Sequence, residues 1–144
     1  MKAFKWIYAC MLIGMCMAFV SCNDDEDVSS SELVGTWSVT EDYYRFKEDG
    51  KVVEEGTDHY QTGEWTFTLN EDGTLVVNEE GYTETGSWRV DGNKLYMTVD
   101  GGDYGDVVTI KDFSSDKIVI EYKDSYTDGG INCEDYEKIT LKKS

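Results

Sequence analysis

From Leu33 to the C-terminus, apolar and polar residues alternate with a period of two, broken by short runs of Gly, Asp and Asn. In TWSVTEDYYRF, Trp37, Val39 and Tyr43 fall on one face, with Glu41 interrupting it. EWTFTL puts Trp65, Phe67 and Leu69 on one side and Thr66 and Thr68 on the other. YTETGSWRV sets Tyr82, Trp88 and Val90 against Thr83, Thr85, Ser87 and Arg89, and KLYMTV sets Leu95, Met97 and Val99 together. Val108 and Ile110 form the inward pair of DVVTIKDF; Ile118, Ile120 and Tyr122 follow, then Ile139 and Leu141. A period of two in Val, Ile, Thr, Trp and Tyr is the pattern of half-buried strands.

The breaks are turn signals. NEDGT leads out of Leu69, VDGNK joins Val90 to Leu95, and FSSDK joins the next pair, with Gly beside Asp or Asn where hairpins need positive φ. The least regular stretch, 47–63, reads either as a strand hairpin or as a loop with a short helix. No segment carries a long apolar period of 3.6. About eight short antiparallel strands result, and small sheets of this kind close into a barrel or pack as a sandwich. Three Gly-x-Trp triplets, at Gly35, Gly63 and Gly86, form a weak internal echo. Each Trp is a large apolar anchor, and core packing competes with ligand contact at all three.

The N-terminus follows a different pattern. Lys2 and Lys5 precede fifteen uncharged residues, too few for the roughly 20 of a comfortable membrane span. A cationic start and a short apolar run ending in a small residue describe a secretory signal peptide. Ser21-Cys22 follows directly. This resembles the lipobox of bacterial lipoproteins, in which the cysteine thiol is acylated and becomes the new N-terminus; Phe19 stands where an aliphatic residue is usual. The run Asp24, Asp25, Glu26, Asp27 after it resembles the export signal of surface lipoproteins in Bacteroides-type bacteria, and its like charges also suit an extended tether. The organisation expected is a lipoprotein signal peptide over 1–21, a lipidated Cys22 with an acidic flexible tether over 22–32, and one domain over 33–144. The address implied is the outer membrane, lipid-anchored and exposed at the cell surface.

Charge narrows the partners. The chain holds 30 acidic and 13 basic residues, a net charge of −17 at pH 7. Loss of the signal peptide removes two lysines and makes the balance more negative still. Binding to nucleic-acid phosphates needs Lys and Arg to displace counterions, so nucleic acid is not an expected partner. Of four cysteines, Cys10 and Cys16 lie in the signal peptide and Cys22 is the acylation site, which leaves Cys133 alone. No internal disulfide is then available, the domain must be held by packing, and a monomer is expected.

LVGTW, GEWTF, EDGTL, GSWRV and NKLYMTV together resemble the lipocalin-like lipoproteins of Bacteroides-type bacteria. The resemblance spans most of 33–143. It implies an all-β fold, a small antiparallel up-and-down β-barrel with an internal cavity, tethered by lipid. Lipocalins set the early Trp against an Arg from the last strand; here the last strand offers Lys138, Lys142 and Lys143, and one of these can face Trp37 through a cation–π contact. The family implies a binding module for a small apolar or amphipathic ligand, lined by candidates Trp37, Tyr43, Trp65, Phe67, Trp88, Met97 and Tyr122. It carries no catalytic residues to transfer.

Other chemistry finds little support. His59 is the single histidine, so a histidine-based zinc site or a Ser-His-Asp relay has little to work with. No phosphate-binding or dinucleotide fingerprint is present. Neither an enzyme nor a cofactor is expected. DSYTDGGINCED can be counted as a twelve-residue calcium loop with Asp124, Asp128, Asn132 and Asp135 as oxygen ligands, although Tyr126 stands where another is needed. The competing reading is a solvated hairpin turn, as for DGGDYGD at 100–106. The alternative function is a surface accessory protein with a filled barrel that contacts another protein or a glycan, with Tyr44, Tyr96, Tyr104 and Tyr126 as exposed candidates. Cys22→Ser is expected to release the protein from the membrane fraction and abolish palmitate labelling; retained label overturns the acylation reading.

Overall fold

The computed structural model describes residues 27–99 and 105–144. They form a short helix, α1 (Ser30–Leu33), and nine strands: β1 (Gly35–Glu48), β2 (Lys51–His59), β3 (Trp65–Leu69), β4 (Thr74–Glu79), β5 (Tyr82–Asp91), β6 (Lys94–Val99), β7 (Gly105–Ser114), β8 (Lys117–Asp128) and β9 (Ile131–Lys143). The strands pair in the order β2-β1-β3-β4-β5-β6-β7-β8-β9, and β1 also pairs with β9. That last pairing closes β1 and β3–β9 into an eight-stranded antiparallel barrel. The expected up-and-down barrel is therefore present, with one additional strand, β2, hydrogen-bonded to β1 outside the closed ring.

The extra strand comes from the irregular stretch 47–63. Glu48 pairs with Lys51 across a two-residue turn, Asp49-Gly50, with φ of 46° and 79°. Positive φ at both central residues matches the right-handed twist of the flanking strands, and Gly and Asp tolerate it. The stretch is thus the strand hairpin of the two alternatives. The same device closes β8 and β9 at Gly129-Gly130, with φ of 56° and 88°.

One edge of β1 is divided between two partners. Gly35 to Ser38 pair with β3, and Glu41 to Glu48 pair with β2. The other edge runs along β9 from Trp37 to Glu48, with a register shift between Val39 and Glu41. Thr40 sits at this changeover as a β-bulge. Its carbonyl accepts the Tyr60 N–H at 3.1 Å, and its hydroxyl donates to the Thr140 carbonyl at 3.2 Å. An extra residue in one strand reverses the faces beyond it. Below the bulge Trp37 and Val39 are inward; above it Asp42 is inward and Tyr43 outward.

The inward residues of the strands build one core. Val39, Leu69, Leu75, Leu95, Val108, Ile110, Ile118, Ile120, Ile139 and Leu141 are all buried, with the three tryptophans of the Gly-x-Trp triplets among them. The end holding the start of β1 is plugged by α1. Leu33 is fully buried beneath the strands, and its carbonyl accepts the Trp37 Nε1–H at 2.8 Å. Ordered structure starts before Leu33, since Val28 is also buried and donates its N–H to the Gly92 carbonyl at 3.0 Å. The last part of the expected tether therefore packs on the domain. Its earlier part, the signal peptide and Cys22 lie outside the described residues.

Two glycines are required by close approach. Lys143 lies over the Trp37 ring, with Nζ 5.1 Å from the centroid, and a Cβ on Gly35 would come within 2.8 Å of the Lys143 Cε. Gly35 leaves the passage through which the lysine reaches the indole. Gly86 lies between β4 and β6, where a Cβ would overlap the Thr98 carbonyl oxygen. Trp37→Ala is expected to cost about 3–5 kcal/mol by emptying a large core site. Gly86→Ala should cost about 1–3 kcal/mol by overpacking a backbone contact that cannot yield by rotamer change. Urea midpoints measured at constant slope test both, and a Gly86→Ala protein as stable as the parent contradicts the contact.

Candidate functional site

Six of the seven candidate lining residues face the barrel interior. Trp37, Trp65, Phe67, Trp88 and Met97 are buried, and Tyr122 packs half-buried against the core. They separate by level. Trp37 and Trp88 belong to the closed end: Trp37 is fixed by Leu33 and Lys143, and the Trp88 Nε1–H donates to the Asn70 carbonyl at 2.9 Å. Met97 pairs directly with Trp88 across β5 and β6. Toward the other end, Trp65 stacks tilted on Phe67 at 5.6 Å between ring centroids and meets Tyr60 edge-on at 5.3 Å. Tyr60–Trp65–Phe67 is thus a continuous aromatic wall in the upper half.

Tyr43 is the exception. The alternation from Trp37 through Val39 placed it inside; the bulge at Thr40 turns it outside and brings in Asp42 instead. A bulge leaves no mark in a period-two count unless the first charged residue on the inward face is taken as its signal. Glu41, which interrupted the face in the sequence, is that signal.

Asp42 is 8% exposed, and its Oδ1 is buried with no hydrogen-bond partner among the described residues. It stands between Ile139 of β9 and Asp58 of β2, each directly opposite in register. Burial, and then the facing Asp58 carboxylate, push its pKa up to about 6. Beside it, burial raises the Tyr60 phenol, with Asp42, Asp58, Glu79 and Glu64 acting in the same direction. Glu79, paired with Trp65 across β3 and β4, is also raised, mainly by burial. The charged groups acting on Asp42 and Tyr60 are all carboxylates. Tyr44, opposite Gly56, closes this level: a Cβ on Gly56 would meet the Tyr44 ring, with Cζ at 2.8 Å. Tyr44 was expected off the inward face, and the same bulge explains its position. The upper level therefore sets a desolvated acidic cluster beside the aromatic wall.

The outer face of β2, β1, β9 and β8 carries a different arrangement, a groove of about 530 Å³ bordered by Tyr43, Arg45, Tyr136, Lys123, Lys138 and Glu121 among others. Arg45 and Lys123 both lie over the Tyr136 ring, at 5.1 and 5.7 Å from its centroid, and Tyr43 meets that ring edge-on at 5.9 Å. Glu121 accepts from the Tyr136 hydroxyl at 2.8 Å and from Lys123 at 2.9 Å. The Tyr43 hydroxyl donates to Glu55. Three cations thus gather on one face of an otherwise acidic chain.

The calcium candidates are not brought together. Asp124 and Asp128 lie on β8, Asn132 and Asp135 on β9, in one continuous hairpin whose turn is only Gly129-Gly130. Asp124 faces Asp135 across the pair, whereas Asn132 lies opposite Thr127, whose neighbours point the other way. Asn132 is engaged locally: its Oδ1 accepts from Thr127 at 3.3 Å, and its N–H donates to Asp49 Oδ1 at 3.1 Å. Of this motif's two readings, the geometry matches the hairpin turn. Most of 100–106, with Tyr104, lies outside the described residues. Tyr96 sits on the outer surface under Arg89, 3.8 Å from the guanidinium carbon, and Tyr126 lies within β8 rather than in a loop. His59 is exposed, 3.7 Å from Glu41. Cys133 is a buried free thiol whose pKa is raised by burial.

A barrel closed by its first and last strands, plugged by a helix and pinned there by an early tryptophan, defines an up-and-down barrel of the lipocalin type. The chain belongs to the lipocalin-like domain family, whose model matches residues 23–120. Among solved structures, it is similar to an uncharacterized protein from Bacteroides eggerthii, at 13% identity and a TM-score of 0.50, covering 77% of this chain and 98% of that one. It is also similar to insecticyanin from the tobacco hornworm Manduca sexta, at 12% identity and a TM-score of 0.49, covering 86% of this chain and 69% of that one. No curated protein matches the chain.

Asp42 makes stability depend on pH in a defined direction. Its folded pKa of about 6 exceeds the ordinary 3.8, so between these values the native state binds more protons than the unfolded chain. Stability attributable to Asp42 therefore falls as pH rises from about 4 to 6 and stays low above that, a loss of roughly 2–3 kcal/mol at most. Asp42→Asn is expected to be more stable than the parent at pH 7.5 and to converge with it near pH 4. Paired urea titrations across that range measure the difference, and a constant offset between the two proteins contradicts the assignment.

Proposed function

We propose that this protein is a lipid-anchored cell-envelope binding protein whose barrel holds one small apolar or amphipathic molecule. The observation that carries the reading is the Tyr60–Trp65–Phe67 wall beside Asp42. Ligand sites are mostly apolar and aromatic, with a few polar groups to set orientation, and a packed core has no use for a desolvated carboxylate lacking a partner. Membership of the lipocalin-like family supports the same reading, since an eight-stranded barrel is wide enough for one small ligand. The anchor would be Cys22, with Asp24–Asp27 directing the protein to the outer face of the outer membrane; the lipobox-like sequence supports this part. The protein acts as a monomer and performs no catalysis.

A second reading rests on the outer groove. Three cations around two edge-to-face tyrosines would suit an anionic partner or a glycan, and on that reading the barrel is scaffold.

Native mass spectrometry of protein purified gently from its host is the direct test: a co-purifying small molecule supports the barrel reading. In titrations, an apolar ligand should quench or shift tryptophan emission through Trp65 and bind with a negative heat-capacity change. Tyr122→Ala is expected to change that affinity while leaving the fold intact, because a wall residue at half burial tolerates truncation better than a core residue. If fatty acids, haem and bile acids all leave Trp emission unmoved and no molecule co-purifies, the outer-groove reading takes precedence.

A further inference from the structure

We propose that the ligand of this barrel is a cationic amphiphile, a primary amine on an apolar chain, whose ammonium group binds Asp42. The inference rests on the small-ligand reading above and specifies the ligand's head group. Asp42 is more than nine-tenths buried, faces inward, and holds an Oδ1 without a hydrogen-bond partner among the described residues. A buried polar group in that condition costs stability unless something satisfies it. The fold retains it beside a second carboxylate, Asp58, directly across the β1–β2 pair. Like charges placed opposite each other are destabilising, so the pair is unfavourable by itself and becomes favourable when a cation lies between or beside the two.

The surroundings select sign and shape. The groups directly opposite Asp42 are Asp58 of β2 and Ile139 of β9; Tyr60 of the β2–β3 connection lies beside it, and Glu64 of that connection and Glu79 of β4 act on the Tyr60 phenol. All the ionisable ones are acids or a phenol, so the site attracts a positive charge and repels a carboxylate head group such as that of a fatty acid. An ammonium group has three N–H donors and no acceptor, which suits an acceptor-only cluster. The Tyr60 and Trp65 rings add attraction for a cation at close range. Below them, Phe67 and the buried aliphatics of β4 and β6 continue the apolar surface that a chain would follow. The raised pKa of Asp42 agrees with this geometry, because a bound cation restores the charged form that burial disfavours.

The test compares three ligands of equal chain length, decylammonium, decanol and decanoate, at pH 7.5, by tryptophan emission and calorimetry on the mature domain. Decylammonium is expected to bind about tenfold or more tighter than decanol, the scale of one hydrogen bond to a charged group, and decanoate more weakly than decanol. Asp42→Asn should bring decylammonium within about threefold of decanol. Glu71→Gln removes the same unit of charge from an exposed turn and should leave the preference intact. The inference is overturned if decanol binds and decylammonium binds no tighter, or if both variants erode the preference equally, which would assign it to the general field of an acidic protein. If none of the three ligands binds, the small-ligand reading itself fails and this inference with it.

Discussion

The structure depends on β1 being hydrogen-bonded along both edges. One edge runs against β9 and closes the ring. The other is shared, its lower part held by β3 and its upper part by β2. A single strand cannot serve two partners on one edge without a transition, and Thr40 supplies it. Its carbonyl is turned to the Tyr60 N–H at the end of β2, and its hydroxyl reaches back to β9. The closed ring lies below this point. Above it β1, β2, β8 and β9 continue as a ribbon longer than the five- or six-residue strands β3, β4 and β6. Closure protects most strand edges from pairing with other chains. The remaining edge, β2, carries Lys51, Glu54, Glu55 and Asp58, charges that disfavour edge-to-edge association.

The same bulge decides which chemistry lies inside. Without it, Tyr43 would line the interior and Asp42 would be solvated. With it, a carboxylate is buried beside the Tyr60 ring, and Tyr43 joins Arg45 and Tyr136 outside. Both polar features of the molecule, the inner acidic cluster and the outer cationic groove, therefore have one backbone irregularity as their common origin. They also share strands: β1 and β2 contribute to both faces of one sheet region, so a ligand on either side would press on the same hydrogen-bonded ladder.

Much of this fold was legible from the period-two pattern, because burial on one face of a strand leaves a direct trace in residue type. Val108, Ile110, Ile118, Ile120, Ile139 and Leu141 were assigned inward from alternation alone, and all are buried. The lysine over Trp37 could be anticipated as a class; that it would be Lys143 depended on where Gly35 opens a path. Two things were less legible. A bulge inserts one residue and leaves composition unchanged, so the inward turn of Asp42 and Tyr44 left only one trace in the alternation, the interruption at Glu41. The hairpin at 47–63 was obscured because β2 lies outside the ring, exposes Val52 and Val53, and so carries no alternating trace. In the calcium-like run, residue types matched a loop, but the two adjacent glycines favour the tightest hairpin, and that local preference spread the acids along two strands.

The helical plug has a further consequence. Val28 is tied to Gly92 and α1 sits beneath Trp37, while Ser144 returns to the same end through its N–H to the Thr36 carbonyl. Both termini of the described body leave from the barrel's foot, and the Asp42 level lies above it. An attachment made through the residues before Asp27, as proposed for Cys22, would therefore join the molecule at its base. On the proposed binding reading, a molecule arriving from bulk solvent would meet the Asp42 level first, and such an attachment would not stand in its way.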